Sequence, residues 1–213
     1  MDENVRRVLM SSEKRDWETP AELFDPIDAL FQFEMDVCAR KDNTKCKVFI
    51  SPEEDAFVTP WVHEDFKGIH VGAMAWMNPE YGKPEHPCKE PHEKCTKQIC
   101  KKRGFHITEY IPGIGDWIER ARNQSEENGT TVVCLLPART DTIWFQTVWN
   151  HAKLLCFLRG RFKFVGADSG ATFPNVIAVF APEELTDDKY EGMTSLGNVI
   201  DPRDGQILIY GGK

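Results

Sequence analysis

The chain has 213 residues and a mass of 24.4 kDa, with 41% hydrophobic and 11% aromatic content, which excludes a disordered polymer and suits one globular domain with an ample core. A formal charge of −8 excludes a uniformly basic nucleic-acid binder. No apolar run approaches the roughly 18 residues of a membrane span and the amino terminus has no apolar signal segment, so a soluble intracellular protein is expected.

Residues 1–15 are polar and are expected to form a flexible arm. Thr19-Pro20-Ala21-Glu22 predicts a helix start, with Thr19 as cap, Pro20 at the first helical position and Glu22 closing a capping box. Leu23, Ile27, Leu30 and Phe31 follow at helical spacing, and Pro26 leaves open a restart at Asp25. Phe33, Met35 and Val37 alternate with Glu34 and Asp36, predicting a strand with Asp36 at its carboxyl end. Val48-Phe49-Ile50 is a second short strand.

Asp55 and Trp61 lie in a loop-rich stretch, and Val71–Met77 is an apolar run of strand length that ends in the polar Asn78-Pro79-Glu80-Tyr81. A helix is predicted over Ile114–Glu127, with Trp117, Ile118 and Ala121 facing inward and Asn128-Gly129 as its exit. Thr131–Leu136 predicts a buried strand, and Pro137–Asp141 a turn into a helix carrying Ile143, Phe145, Val148 and Trp149. Leu154–Leu158, Phe162–Val165 and Val176–Phe180 predict three strands spaced by Gly160, Gly166 and Gly170. The succession implies an α/β fold with a mostly parallel sheet and an antiparallel edge. Residues 182–213 are expected to form a peripheral tail, with one strand near Ile207–Tyr210.

Between Lys83 and Arg103 there are seven Lys or Arg against three Glu, a local balance of +4 that leaves −12 for the rest of the chain. The segment 83–109 also holds Cys88, Cys95, Cys100 and His106 in a C-x6-C-x4-C-x5-H array, with His86 and His92 as spare nitrogens. Three thiolates and an imidazole complete a tetrahedral structural zinc site, and an odd total of seven cysteines suits reduced thiols or metal ligands better than disulfides. Such a closed site is structural, and the expectation is a metal-folded basic knob whose charge suits a local phosphate contact.

Six stretches, taken together and in order, are Asp16-Trp17-x-Thr19-Pro20, Phe33-x-Met35-Asp36-Val37-Cys38-Ala39, Glu54-Asp55-Ala56-Phe57, Trp76-x-Asn78-Pro79-x-Tyr81-Gly82, Gly113-Ile114-Gly115-Asp116-Trp117 and Leu136-Pro137-Ala138-Arg139-Thr140-Asp141. Over roughly residues 16–180 the chain resembles the phage-type DNA N-6-adenine methyltransferases. The resemblance implies a methyltransferase domain over 16–181 with a Rossmann-like fold that binds S-adenosylmethionine and methylates adenine in double-stranded DNA, in the cytoplasm of a bacterial host or phage-infected cell. It further implies cofactor contacts from Trp17, Thr19, Pro20, Asp36, Cys38, Ala39 and Asp55. A base-packing aromatic is implied near Arg161–Phe164, with Phe162 taken in preference to Phe164.

The chemistry explains the Asn-Pro pair. An exocyclic amine is a poor nucleophile while its lone pair is delocalised into the ring, so acceptors must draw on its hydrogens as it attacks. The Asn78 side-chain oxygen and the Pro79 carbonyl are adjacent acceptors, proline offers no competing donor, and Tyr81 offers an aromatic face for an extruded base. Two positions depart from the family pattern: no Gly-x-Gly loop follows the first strand, and Glu80 stands where a second proline is usual. Cytosine-amine methylation uses the same acceptors, and a non-catalytic zinc-containing nucleic-acid binder on a decayed scaffold is the alternative that Glu80 favours.

Overall fold

Strand order is what positions the site. The computed structural model describes residues 18–64, 70–89, 91–167, 169–203 and 207–208; Trp17, the amino-terminal arm and Tyr210 lie outside them. The main sheet contains β1 (Met35–Asp36), β2 (Val48–Phe49), β5 (Met74–Met77), β6 (Thr131–Pro137), β7 (Leu154–Leu158), β8 (Asn175–Phe180), β9 (Gly197–Ile200) and β10 (Ile207–Leu208) in the order β10-β9-β7-β8-β6-β5-β1-β2. β2, β1, β5 and β6 are mutually parallel, whereas β8 and β9 run against their neighbours, so six of the eight strands point one way. The antiparallel strand is therefore not confined to an edge: β8 is inserted between β6 and β7, and all six of its residues are buried, as a central strand requires.

The apolar run 71–77 is not one strand. It breaks at Ala73 into β4 (His70–Gly72), paired antiparallel with β3 (Val62–Glu64) in a separate two-stranded sheet, and β5 in the main sheet. The break follows from close packing, since a Cβ at Gly72 would sit 2.1 Å from the Gly129 carbonyl carbon and oxygen. Ala73 there donates to Trp61 O at 3.3 Å and accepts from the Thr131 amide at 3.0 Å.

Helices cover both faces of the sheet, and a short α2 (Gln98–Arg103) lies in the cysteine-bearing segment. α3 (Ile114–Asn128) and α4 (Ile143–His151) pack Ile114, Ile118, Ala121, Phe145 and Val148 against Val37, Met77, Leu136 and Ala178. On the opposite face α1 (Ala21–Phe31) and α5 (Asp187–Met193) pack Leu23, Ile27, Phe31 and Met193 against Trp76, Leu135, Leu154 and Val179. Consecutive strand residues such as Trp76 and Met77 fall in different cores because side chains alternate across a sheet, and the result is a three-layer α/β/α arrangement. Among the described residues no helix is long and apolar enough to cross a membrane.

Several expectations change. Thr19 does not cap α1; Pro20 is the N-cap, with no side-chain cap bond, and its carbonyl accepts from Leu23 and Phe24. The helix accommodates Pro26 without restarting at Asp25, and it ends at Gln32 in the left-handed region. α3 ends on Gly129 at φ 70°, as Asn128-Gly129 implied. In α4 only Phe145 and Val148 of the four named apolar residues are buried; Ile143 is 90% exposed. Residues 162–165 form no regular strand, only a single bridge from Val165 to Glu18. The segment after Pro182 is not peripheral, because β9 pairs with β7 and buries Val199 while α5 buries Met193.

Candidate active site

The chain leaves β1 toward β2 on one side and later returns through β5 on the other, so the strand order reverses between β1 and β5. In open α/β sheets such a switch point leaves a crevice at the strands' carboxyl ends. Parallel register sets Asp36 beside Trp76, and the Val37 amide donates to Trp76 O at 3.1 Å, so the segments after Asp36 and Met77 emerge side by side. They open onto a hollow of about 520 Å³ whose lining includes Thr19, Asp36, Cys38, Ala39, Asp55, Asn78, Pro79 and Glu80.

Asn78 is held from two directions. Its Nδ2 donates to Thr19 Oγ1 at 3.2 Å, and its Oδ1 accepts from the Tyr81 hydroxyl at 2.7 Å. Thr19 is only 2% exposed, and its hydroxyl is directed at Asn78 rather than at the helix start. The Tyr81 hydroxyl also lies 3.1 Å from Leu135 O, so one proton serves two acceptors and ties the Asn78 loop to β6. Burial pushes the Tyr81 phenol well above its ordinary value, which keeps it a donor. A carboxamide oxygen carries two lone pairs and can accept two hydrogen bonds, one of which comes here from Tyr81.

Asp36, 4% exposed, organises the neighbouring loop: its carboxylate accepts from the amides of Cys38 (3.2 Å) and Lys45 (3.0 Å). Burial raises its pKa to about 6 against the lowering effect of those amides and of the Lys45 charge. Burial, and then the nearby Asp36, push the Cys38 thiol well up, so it remains a neutral thiol. Lys45 bridges to Glu18 at 2.7 Å, and both line the hollow. Asp55 adopts φ 59°, in the left-handed region where Asp is tolerated, and its Oδ1 accepts from the Phe57 amide at 2.9 Å. Beside it Phe57 and Trp117 meet edge-on at 4.6 Å and give the hollow an aromatic wall.

Not every expected residue falls here. Trp17 lies outside the described residues, and Pro20 is buried at the head of α1 without lining the hollow. Tyr81 and Phe162 are also absent from the lining: Tyr81 packs partly buried against both cores, and Phe162 packs on Phe164 at 4.7 Å, both of them in the α1-side core. The aromatic partner of Tyr81 is Phe173, edge-on at 5.7 Å, and the exposed Arg139 guanidinium lies 5.9 Å from the Phe173 ring. Only the position of Arg139 in a family-like stretch hinted at this. Glu18, Lys45, Phe57, Glu109 and Tyr110 also line the hollow; Phe57 stands in a family-like stretch, and no local pattern pointed to the other four.

The metal-ligand array comes together as its spacing predicts. One ligand atom each from Cys88, Cys95, Cys100 and His106 lie within 4.8 Å of one another. Zinc bonded at about 2.3 Å to tetrahedral thiolates sets their sulfurs about 3.8 Å apart. The Cys95–Cys88 separation is 3.7 Å and Cys88–Cys100 is 3.2 Å, too long for a disulfide, and all seven cysteines are free thiols. Burial would raise the Cys88 thiol, but hydrogen bonds with Cys100, His106 and the Ile107 amide outweigh it and bring it to about 7. His106 Nδ1 is buried without a hydrogen-bond partner among the described residues. The cluster is compatible with a metal ion.

Residues 7–179 match the family model described as DNA N-6-adenine-methyltransferase (Dam). The chain is also 27% identical over 180 residues to the DNA N-6-adenine-methyltransferase of Haemophilus phage HP1 (strain HP1c1), a match that covers 81% of this chain and 82% of that protein. A tethered Asn-Pro pair at the sheet's switch point and a match over most of the length agree: the chain belongs to the DNA N-6-adenine-methyltransferase (Dam) family and is an adenine-specific DNA methyltransferase.

Proposed function

We propose that the protein is an S-adenosylmethionine-dependent enzyme that methylates the exocyclic amine of adenine in double-stranded DNA, on a Rossmann-like sheet, with Asn78 and Pro79 as the amine acceptors. The observation that carries this reading is the Asn78 carboxamide, fixed by Thr19 and Tyr81 at the mouth of a 520 Å³ hollow. A hollow of that size is within the range of about 300–1,000 Å³ that takes small-molecule cofactors. Its lining fits such a donor, since it combines the 37–39 loop and Asp36 with Asp55 and the Phe57–Trp117 aromatic pair.

When bound, S-adenosylmethionine supplies an electrophilic methyl group on a sulfonium. Asn78 Oδ1, held in place by the Tyr81 hydroxyl, is read as the acceptor for one amine hydrogen, and the Pro79 carbonyl as the acceptor for the second. Holding both hydrogens directs the nitrogen lone pair out of conjugation, so rate comes from positioning rather than from a general base. Tyr81 and Phe173 offer the aromatic surface on which an extruded adenine stacks, with Arg139 at the outer edge toward the DNA backbone. The Cys88, Cys95, Cys100 and His106 cluster is read as a structural zinc site. The substrate places the enzyme in the cytoplasm of a bacterial or phage-infected cell.

The test is nucleoside analysis of duplex DNA incubated with enzyme and S-adenosylmethionine. Wild type is expected to yield N6-methyladenine. Asn78→Ala is expected to lose about 100-fold or more in turnover, the scale of removing one transition-state hydrogen-bonding group. Its affinity for S-adenosylhomocysteine should stay near wild type, and full turnover by the variant refutes the role assigned to Asn78.

A further inference from the structure

We infer that the metal-tied hairpin builds one wall of the cofactor hollow, so that metal occupancy at Cys88, Cys95, Cys100 and His106 controls affinity for the methyl donor through Glu109 and Tyr110. This rests on the zinc and cofactor readings above. Residues 85–111 form a closed hairpin. At its base the Glu85 and Ile111 backbones exchange hydrogen bonds at 2.9 and 3.0 Å, and one rung further out the Cys88 amide donates to Ile107 O at 2.9 Å. The four ligand residues lie beyond that base, with Cys88 on the outgoing leg and His106 on the returning one.

The tip has little apolar core. Among the described residues from 86 to 107 the buried side chains are Cys88, Cys100 and Ile107, two of them in the candidate metal cluster. Among the described residues the hairpin's charged ties include the bidentate pair from Arg103 to Glu85 at 3.0 and 2.9 Å and the Lys97 ammonium, which donates to the His86 and Pro87 carbonyls of the outgoing leg. A hairpin with so small an apolar core depends on its metal for order.

The returning leg is what reaches the hollow. Directly after His106 and Ile107, both Glu109 and Tyr110 line it. The Tyr110 ring is held between the two parts of the fold that meet there. Its hydroxyl donates to Asp116 Oδ2 at 2.8 Å, on the first turn of α3, and its ring packs on His86 of the outgoing leg at 5.1 Å. Asp116 Oδ2 also accepts from the Gly113 amide at 2.7 Å, so the hairpin exit, the start of α3 and the hollow wall share one carboxylate. If the ligands release the metal, the outgoing and returning legs lose their register, His86 leaves Tyr110, and the wall formed by Glu109 and Tyr110 opens.

The experiment uses the full chain, with metal analysis and S-adenosylhomocysteine calorimetry on the same samples. The expected result is one zinc per chain as purified. Removal by chelator should weaken S-adenosylhomocysteine by roughly tenfold or more, the factor by which the ordered-wall population falls, with recovery on adding zinc back. Tyr110→Ala should weaken the same ligand while keeping its zinc, a readout that survives if a cysteine variant fails to fold. Zinc present with affinity unchanged by its removal overturns the coupling and leaves the metal reading intact. A chain that binds no zinc overturns both. Binding that is undetectable in the zinc-loaded wild type overturns the cofactor reading beneath them.

Discussion

Tyr81→Phe removes one oxygen and keeps the ring, so it separates tethering from stacking. In the wild type that oxygen's proton is shared between Asn78 Oδ1 at 2.7 Å and Leu135 O at 3.1 Å, across a sequence separation of 54 residues to the latter. A net intramolecular hydrogen bond is worth about 1 kcal/mol, and a carbonyl left without its partner costs about 1–3 kcal/mol. Stability should therefore fall by about 1–2 kcal/mol. If the same energy orients Asn78 for the amine, about 1–1.4 kcal/mol of barrier corresponds to a five- to tenfold loss in turnover. Single-turnover transfer of labelled methyl to an adenine-containing duplex, run beside S-adenosylhomocysteine calorimetry and DNA binding, gives the three readouts. The expected pattern is slower transfer with both affinities near wild type. A variant with wild-type transfer refutes the tether; one with intact transfer chemistry but lost DNA binding refutes the assignment of stacking to the ring.

Asp36 gives a pH prediction. Its folded-state pKa of about 6 lies above the ordinary 3.8, so between about pH 4 and pH 6 the folded protein holds the proton more tightly than the unfolded chain, and stability falls as pH rises through that window. The span corresponds to about 3 kcal/mol, and the stability difference between wild type and Asp36→Asn in urea should change across the window; a constant difference contradicts the assignment. Arg139→Ala should weaken duplex binding and flatten its salt dependence by about one unit of slope, with cofactor affinity unchanged, and an unaltered slope rules out a phosphate contact. Gly72→Ala should lower stability by about 1–3 kcal/mol, because its new Cβ meets the Gly129 backbone at 2.1 Å; an unchanged melting temperature refutes that close approach.

The parts of this protein carried by local pattern were legible from residue order alone. The apolar runs of β6, β7 and β8, the exit of α3 at Gly129, and Asn78-Pro79 at a strand's carboxyl end all follow from periodicity and turn chemistry, which act over a few residues. The spacing of Cys88, Cys95, Cys100 and His106 was equally plain, because a metal shell needs its ligands close in a short loop. Periodicity shows which face a residue buries but not what lies across from it. It therefore gave no sign that β8 enters between β6 and β7, that the Thr19 hydroxyl is 59 positions from its partner Asn78, or that Phe173 rather than Phe162 meets Tyr81. Residue order by itself determined the central strands, the longer helices and the chemical groups available for methyl transfer. Tertiary structure alone decided which of those groups converge on the hollow, because the strand order that brings them together is set by packing between segments far apart in the chain.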